Sequence, residues 1–281
     1  FRSADLDRHI LVSDYYSFVY EGMYAPWVSE DNTGWPEHYL ITYDTYIKVY
    51  DFFASFGLPS VDGCGMPIIL LTDYCDAYHN PVNNAGCLGT ASGWAVFCAS
   101  SENDFGESLD VIAHEYTHGI TNYSMTGNIY ENESGALNEA LSDIIGNLTE
   151  MLLGETEDEL WLLGEQSGWT VRNMSFPWEY RQPVTVGGTF YEETTDTPTL
   201  ENDLGGVHTN SGIVAHAAWA MCAAGMDLEE AFSLWLEAIS LLTPYSGFRE
   251  MHQALLFAAE MRGLDVERMG LIEMVCEQAG F

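Results

Sequence analysis

The chain has 281 residues, of which 47% are hydrophobic and 13% aromatic, a composition typical of a folded globular protein and unlike that of a disordered one. Its 8 basic and 43 acidic residues give a formal net charge of −35. This charge excludes nucleic acid as a partner, because nucleic-acid binding depends on neutralising phosphates with basic side chains. The sequence contains no apolar run of about 18 residues, so it predicts no membrane-spanning helix.

The acidity of the chain has three competing explanations. They are adaptation to salt, loading with calcium, and resistance to proteases that cut after lysine or arginine, since only 8 such residues remain. A surface of this charge repels itself at low salt and is relieved by screening or by bound cations. The sequence is compatible with all three.

The N-terminal part mixes aromatic, β-branched and turn residues. Its apolar periodicity predicts an amphipathic helix over residues 43–56, and short apolar runs predict strands at 67–71 and 94–97. The chain begins at Phe1 without an initiator methionine or a basic-then-apolar leader, so we expect a processed mature chain.

The next predicted helix, for which Ser108 is a suitable cap, carries two histidines one turn apart. His114 and His118 are at positions i and i+4, which share a helix face, so both rings can reach one ion. Zinc accepts neutral imidazole and uses three protein ligands when one position stays open for water. Glu115 is then the candidate base for that water. The alternative is a pair of ordinary core or surface histidines.

A second helix is predicted over residues 136–153 by an apolar stripe. Glu139 and Asp143 also share one of its faces. Glu139 can therefore be the third zinc ligand, while Asp143 can accept the second ring N–H of a zinc-binding histidine and fix its tautomer. The alternative, a solvated acidic face, is disfavoured because the helix is too apolar.

A third polar element follows at residues 203–212, where two glycines permit a tight turn. Asn210 or Ser211 can cap the apolar helix predicted from 210 to 224. His208 would then lie at the mouth of that helix. There it could donate a hydrogen bond to the oxyanion of a tetrahedral intermediate, with Asp203 holding its other nitrogen, although a purely structural histidine is the alternative. Further helices are predicted at 228–242, 248–261 and 266–279.

Six cysteines are an even number, which favours disulfides in an exported chain. Fifteen connectivities are possible. Proximity in the sequence favours Cys64 with Cys75 and Cys87 with Cys98, which leaves Cys222 for Cys276. Metal binding is disfavoured because no C-x-x-C pair occurs, and free buried thiols are the remaining alternative.

Four ordered motifs, at residues 114–118, 130–143, 171–175 and 205–212, resemble those of the thermolysin-like zinc metallopeptidases, a family of secreted bacterial neutral proteases. The resemblance implies an α+β fold with two lobes and a zinc cleft between them. The abbreviated β-containing N-terminal lobe would span residues 1–130, and the mainly helical C-terminal lobe would span 131–281.

The resemblance also implies a role for each motif residue. One catalytic zinc would be bound by His114, His118 and Glu139, with Glu115 as general base. Tyr130 and His208 would stabilise the oxyanion, Asp203 would orient His208, and Asp143 would support His114. Arg172 would hydrogen-bond the substrate carbonyl, while Asn84 and the backbone of Ala85 would hold the peptide in an extended pose.

Specificity and a second metal follow from the same resemblance. Val111, Leu163 and Val171 would line a pocket for the residue after the scissile bond, which predicts cleavage before bulky hydrophobic residues. Asp110, Glu150 and Glu165 fall on the positions of a structural calcium site, although simple surface acids are the alternative.

The resemblance implies a monomeric enzyme, secreted by a bacterium, that acts on proteins or peptides. A removed propeptide would have served as inhibitor and folding aid. Two alternatives stay open: a gluzincin aminopeptidase, which would need acidic residues to capture a free N-terminus, and a catalytically silent adhesin or binding module that keeps zinc for structure.

Overall fold

The computed structural model describes residues 8–21, 36–91, 93–100, 105–125, 129–154 and 161–281. The chain divides into two compact units. The first comprises Phe1–Tyr123 and Gly164–Thr170, and the second comprises Ser124–Leu163 and Val171–Phe281. Among the described residues, no helix is both long and apolar enough to cross a membrane.

The described residues of the first unit form a four-stranded sheet and three α-helices. The strands are β1 (Ile10–Asp14), β2 (Ile68–Thr72), β3 (Ala85–Ala91) and β4 (Trp94–Ala99), in the order β1-β2-β4-β3. The first, second and fourth strands are parallel, whereas β3 pairs antiparallel with β4 and lies at an edge. The helices are α1 (Tyr15–Val19), α2 (Glu37–Ser55) and α3 (Leu109–Ser124).

One face of the sheet carries an aromatic core that seats α3. The ring of Phe97 on β4 lies 5.3 Å from that of Tyr46 on α2 and 6.0 Å from that of Tyr116 on α3. A Cβ at Gly119 of α3 would lie 2.9 Å from the Phe97 ring and 2.7 Å from Val61. The helix can approach the strand this closely only because position 119 is glycine.

The opposite face of the sheet is covered by a smaller apolar cluster that includes Cys75 and Cys98. Cys98 is paired with Gly86 across the strands, whereas Cys87 is paired with Phe97. Neighbouring positions of a strand point to opposite faces, so the thiols of Cys87 and Cys98 leave the sheet on different sides. The predicted bond between them is therefore wrong.

No disulfide joins any of the six cysteines, all of which lie in the part of the chain that the structure describes. The other two predicted disulfides, Cys64–Cys75 and Cys222–Cys276, are thus not formed either. Proximity in the sequence favoured the Cys64–Cys75 pair, yet Cys64 is exposed while Cys75 is buried.

The second unit is mainly helical. Its helices are α4 (Asn132–Leu153), α5 (Asp203–Ala223), α6 (Leu228–Ile239), α7 (Phe248–Met261) and α8 (Val266–Ala279), and two short strands, β5 (Leu162–Leu163) and β6 (Arg172–Asn173), pair antiparallel. Every residue of α4 from 135 to 150 is buried, so α4 is a central core helix. A Cβ at Gly135 would collide with Val207, and the close approach of α4 and α5 therefore requires glycine there.

The start of α5 differs from the prediction. Leu204, Gly205 and Gly206 have φ values of 51°, 86° and 81°, and the regular helix begins after them. The carboxylate of Asp203 accepts hydrogen bonds from the backbone N–H groups of His208 at 2.9 Å and Thr209 at 3.0 Å. Asp203 therefore caps the regular helix.

The predicted caps of α5, Asn210 and Ser211, are wrong, because both side chains are buried within the helix. The observed architecture confirms the predicted α+β class, with a small sheet in the N-terminal region and a mainly helical C-terminal region. The predicted lobe boundary at residues 130 and 131 stays a prediction.

Candidate metal centre

The two histidines of α3 face each other on one side of the helix. The Nε2 atoms of His114 and His118 lie 2.9 Å apart, and their rings are nearly perpendicular at 88°. Both side chains are buried, and so is Glu115 between them. The spacing of four residues thus places the two imidazole nitrogens next to each other, as the sequence predicts.

Glu139 lies on α4, only 2% exposed, and three polar side chains of the same unit surround it. The hydroxyl of Tyr130 donates a hydrogen bond to Oε1, and Arg172 Nη2 donates to Oε2 at 3.1 Å. The ring nitrogen Nε2 of His208 lies 3.6 Å from Oε1. These three side chains therefore fix the position of the Glu139 carboxylate.

Three side chains form a group that could hold a metal ion. His114, His118 and Glu139 each offer one ligand atom, and these atoms all lie within 4.8 Å of one another. Zinc binds such ligands at about 2.0–2.2 Å in a tetrahedron, which separates two ligand atoms by about 3.4 Å. The two imidazole nitrogens lie 2.9 Å apart, about half an ångström closer than this value. Two imidazoles and one carboxylate therefore fit zinc in donor type.

Arg172 forms ion pairs with two carboxylates that the sequence did not predict. Its Nε lies 2.8 Å from Asp143 Oδ2, and its Nη2 donates to Asp143 Oδ1 at 2.9 Å as well as to Glu139. Burial lowers the pKa of the guanidinium, but the charges of Asp143 and Glu139 outweigh it and raise that pKa above its usual range. Arg172 is therefore the fixed countercharge of two buried carboxylates.

His208 is held by Asp203, as the sequence predicts. Its Nδ1 lies 2.5 Å from Asp203 Oδ1, while its Nε2 lies 3.3 Å from the hydroxyl of Tyr130. Burial lowers the pKa of His208, but the hydrogen bond with Asp203 and the charge of Glu139 raise it above its usual value overall. Burial raises the pKa of Asp203, but the hydrogen bond with His208, the charge of His208 and the backbone N–H groups of His208 and Thr209 together lower it below its usual value.

Comparison with known proteins adds independent support. The family model described as the thermolysin metallopeptidase catalytic domain matches residues 15–122, and that of the thermolysin metallopeptidase alpha-helical domain matches residues 127–271. The chain belongs to the thermolysin metallopeptidase family. The family uses a catalytic zinc, and two histidines with one glutamate are the ligand set for which thermolysin itself is a standard example.

Individual relatives agree with the family models. A neutral protease of Bacillus pumilus is 37% identical over 218 residues, which cover 75% of this chain and 67% of that protein. A thermolysin of Alicyclobacillus acidocaldarius is 30% identical over 255 residues, 83% of this chain but only 44% of that protein. Among solved structures, the precursor of protealysin, a metalloproteinase from Serratia proteamaculans, has a TM-score of 0.71 at 25% identity and covers 91% of this chain and 81% of its own.

A second group that could hold a metal contains three carboxylates. Atoms of Asp110, Glu150 and Glu165 lie within 4.8 Å of one another. Burial, together with the charge of Glu165, raises the pKa of Asp110 to about 6 although Ser108 donates a hydrogen bond to it at 2.6 Å. Oε2 of Glu165 is buried without a hydrogen-bond partner among the described residues. Such crowded carboxylates suit a calcium ion, which accepts only oxygen ligands.

The residues predicted to bind substrate are placed as follows. Asn84 is exposed, and Ala85 is buried at the start of the edge strand β3. Leu163 is buried, and its carbonyl accepts a hydrogen bond from Val171 N–H at 2.7 Å; Val111 is buried on α3. Whether the three apolar side chains line one pocket stays a prediction.

One residue beside the centre, Gln182, is not predicted by the sequence. Gln182 is 5% exposed, and its amide donates to the carbonyl of His208 at 2.7 Å and to the hydroxyl of Ser211 at 3.1 Å. It belongs to no motif and is 26 residues from His208 in the sequence. Periodicity and spacing therefore gave no signal for it.

Proposed function

We propose that the chain is a zinc-dependent endopeptidase in which Glu115 acts as the general base. The observation that supports this most is the buried pair of imidazole nitrogens, 2.9 Å apart, with Glu115 next to His114 on the same helix. His114, His118 and Glu139 would hold the ion. When bound, zinc would polarise the scissile carbonyl and lower the pKa of a water molecule.

The chain's own residues would then move the protons and meet the developing charge. Glu115 would take a proton from the attacking water and pass it to the leaving amine. Tyr130 and His208 would donate hydrogen bonds to the carbonyl oxygen as it becomes negative, which is often the largest contribution to catalysis. Asp203 would keep His208 in the orientation that points Nε2 away from the Asp203 carboxylate.

Arg172 would act mainly through its neighbours. Its contacts with Asp143 and Glu139 hold both carboxylates in place, and Glu139 is the proposed metal ligand. We therefore assign it as a positioning residue for Glu139, besides the hydrogen bond to the substrate carbonyl predicted from the family resemblance. Asp143 would still be the partner of a zinc-binding histidine.

The peptide would bind in an extended form beside β3. This strand lies at an edge of the sheet, where an added strand can pair with its backbone, and Asn84 and Ala85 are at its beginning. The apolar side chains of Val111, Leu163 and Val171 would favour a bulky hydrophobic residue after the cleaved bond. A peptide-library profile checks this preference, and one dominated by charged residues at that position would contradict it.

We further propose that the enzyme is a monomer secreted by a bacterium and released from an inhibitory propeptide. The relatives are bacterial neutral proteases and thermolysins, and the structural neighbour is itself a precursor. Amino-terminal sequencing and size measurement of the enzyme from culture medium test this. Recovery only from the cell interior would argue against secretion.

Calcium would bind at Asp110, Glu150 and Glu165 and relieve the repulsion among these carboxylates. We expect calcium to raise the melting temperature of the native protein and to lose most of that effect in Asp110→Asn. If calcium does not change the melting temperature of the native protein, the proposed calcium site is wrong.

The decisive test of the activity is Glu115→Ala. The variant should keep its fold and one zinc per chain but lose about 10²–10⁴-fold in peptide hydrolysis, because only the base is removed. Glu273→Ala, which removes an exposed glutamate of α8, is the matched control and should retain full activity. A native protein that binds zinc without chelator-sensitive hydrolysis would instead support the silent adhesin.

A further inference from the structure

Two asparagines of the second unit hold one short segment by its backbone. Asn132 Oδ1 accepts a hydrogen bond from Thr195 N–H at 2.9 Å, and its Nδ2 donates to the carbonyl of Thr195 at 3.2 Å. Asn210 does the same at Glu192, with distances of 3.0 and 2.8 Å. Each side-chain amide thus makes the two backbone hydrogen bonds that a neighbouring β-strand would make. Residues 191–196, here called the clamped segment, are therefore held at two points.

The two asparagines flank the two proposed oxyanion donors. Asn132 is two residues after Tyr130, and Asn210 is two residues after His208. The hydroxyl of Tyr130 and Nε2 of His208 lie 3.3 Å apart, although the two residues are separated by 78 positions in the chain. The clamped segment therefore joins the backbone beside one donor to the backbone beside the other.

Close packing leaves this connection little freedom. Gly205, at φ 86°, has no room for a Cβ, which would collide with Oδ1 of Asn132. At Gly206 a Cβ would lie 2.7 Å from Cβ of Glu192 and 3.1 Å from Nδ2 of Asn210. Both glycines are thus required by positive φ and by contact, and the two clamps share one packed junction.

We infer that Asn132 and Asn210 are positioning residues for catalysis, which set the distance between Tyr130 and His208 through the clamped segment. The inference rests on the proposed function, in which both donors meet the oxyanion. Donors stabilise a transition state only when they are held in place beforehand, and a misplacement of about 1 Å can lower a rate about 10²-fold. The clamps act on the orientation of the donors and touch neither substrate nor metal.

The test compares Asn132→Ala, Asn210→Ala and the double variant in kcat and KM for one peptide. We expect each single variant to lose about tenfold in kcat, with KM changed less than about twofold, since substrate contacts are intact. Because both clamps hold the same segment, the double variant should be hardly slower than the slower single one. A phosphonamidate peptide, an analogue of the tetrahedral intermediate, should bind more weakly in proportion to kcat/KM.

The matched control is Ser134→Ala. Ser134 also lies at the start of α4 and donates to a backbone carbonyl, that of Ser246 at 3.0 Å, but it does not contact the clamped segment. Its kcat should remain that of the native enzyme. If an alanine variant does not fold, the isosteric Asn132→Asp and Asn210→Asp replace it, since a carboxylate keeps the bond from N–H and repels the carbonyl.

Two outcomes would separate the inference from the proposed function. If Tyr130→Phe and His208→Ala lower kcat while both clamp variants keep it, the positioning role is wrong and the oxyanion role stands. If Tyr130→Phe and His208→Ala leave kcat unchanged, the oxyanion role in the proposed function fails first. Equal losses in kcat for the clamp variants and for Ser134→Ala would also overturn the inference, because they would reflect general damage to the start of α4.

Discussion

The histidine pair and the glutamate cluster of this protein are built in opposite ways. His114 and His118 come from one regular helix, four residues apart, and need no other segment to bring their nitrogens together. Glu139, in contrast, is surrounded by Tyr130, Arg172 and His208, which lie 9 to 69 positions away in the sequence. Local helix geometry fixes the first region, and tertiary contacts fix the second.

The difference teaches where each region is vulnerable. The histidine pair depends on α3 being seated against the sheet, which involves Phe97 and Gly119. The glutamate cluster depends on charge balance, because two buried carboxylates share the single guanidinium of Arg172. Replacing either histidine, without disturbing Phe97 or Gly119, should therefore remove a function while keeping the fold, whereas changes in the second region should reduce stability as well.

The largest expected effect comes from His118→Ala. Removing one of the three proposed ligands should abolish stoichiometric zinc binding, and peptide hydrolysis should fall to background while circular dichroism stays native. Metal analysis and an activity assay measure both, and His252→Ala on α7 is the control that should change neither. If His118→Ala still binds one zinc per chain, the histidine pair is not the metal site, and the contrast drawn between the two regions is wrong.

Arg172→Met should have the next largest effect, and on stability. It leaves the carboxylates of Glu139 and Asp143, whose side chains alone are 3% and 1% exposed, without their cation. Breaking a buried ion pair by removing one partner typically costs about 3–5 kcal/mol of unfolding free energy. Urea unfolding of the zinc-free protein measures this without interference from the metal.

The control for Arg172→Met is Arg268→Met. Arg268 pairs with Glu230 at 3.0 Å, but its side chain is 29% exposed, and such surface pairs contribute about 0–1 kcal/mol. If Arg172→Met lowers the free energy of unfolding no more than Arg268→Met does, charge balance does not stabilise the glutamate cluster.

Asp203→Asn should have the smallest effect and mainly shift the pH dependence. The hydrogen bond with Asp203 raises the pKa of His208, and the protonated ring is the better donor to an oxyanion. That form is present below the pKa and lost as pH rises through it. Without the carboxylate the pKa falls, so the alkaline limb of kcat/KM should move to lower pH. An unmoved limb would contradict a donor role for protonated His208.

Much of this arrangement follows from the sequence because helices have a strong period. The spacing within residues 114–118 predicts the facing imidazoles, and the stripe of α4 predicts a buried Glu139. The strands at 67–71 and 94–97 were predicted from their continuous apolar runs and are present as β2 and β4. Family resemblance supplied the role of Tyr130, which no local pattern contains. The roles of Asp203 and His208 were also predicted from the polar element at residues 203–212.

The parts that the sequence did not predict depend on long-range contacts or unusual backbone. Strand β3, AGCLGTA, contains two glycines, which lower strand propensity, and it is stabilised by pairing with β4. The Cys87–Cys98 prediction failed because the pairing register of β3 and β4 decides which face each thiol occupies. Arg172 is 29 positions from Asp143 and 33 from Glu139 in the sequence, so residue spacing could not predict these hydrogen bonds.

The turn that opens α5 has a consequence for engineering. Four consecutive residues there, Asp203 to Gly206, have φ between 51° and 86°, and Leu204 is in a conformation that side chains with a Cβ rarely adopt. In chimeras with related enzymes, crossover points should therefore be placed outside residues 191–210, so that this turn and its partners are inherited from a single parent. Random libraries should leave the two glycines untouched, since most replacements there would yield misfolded protein.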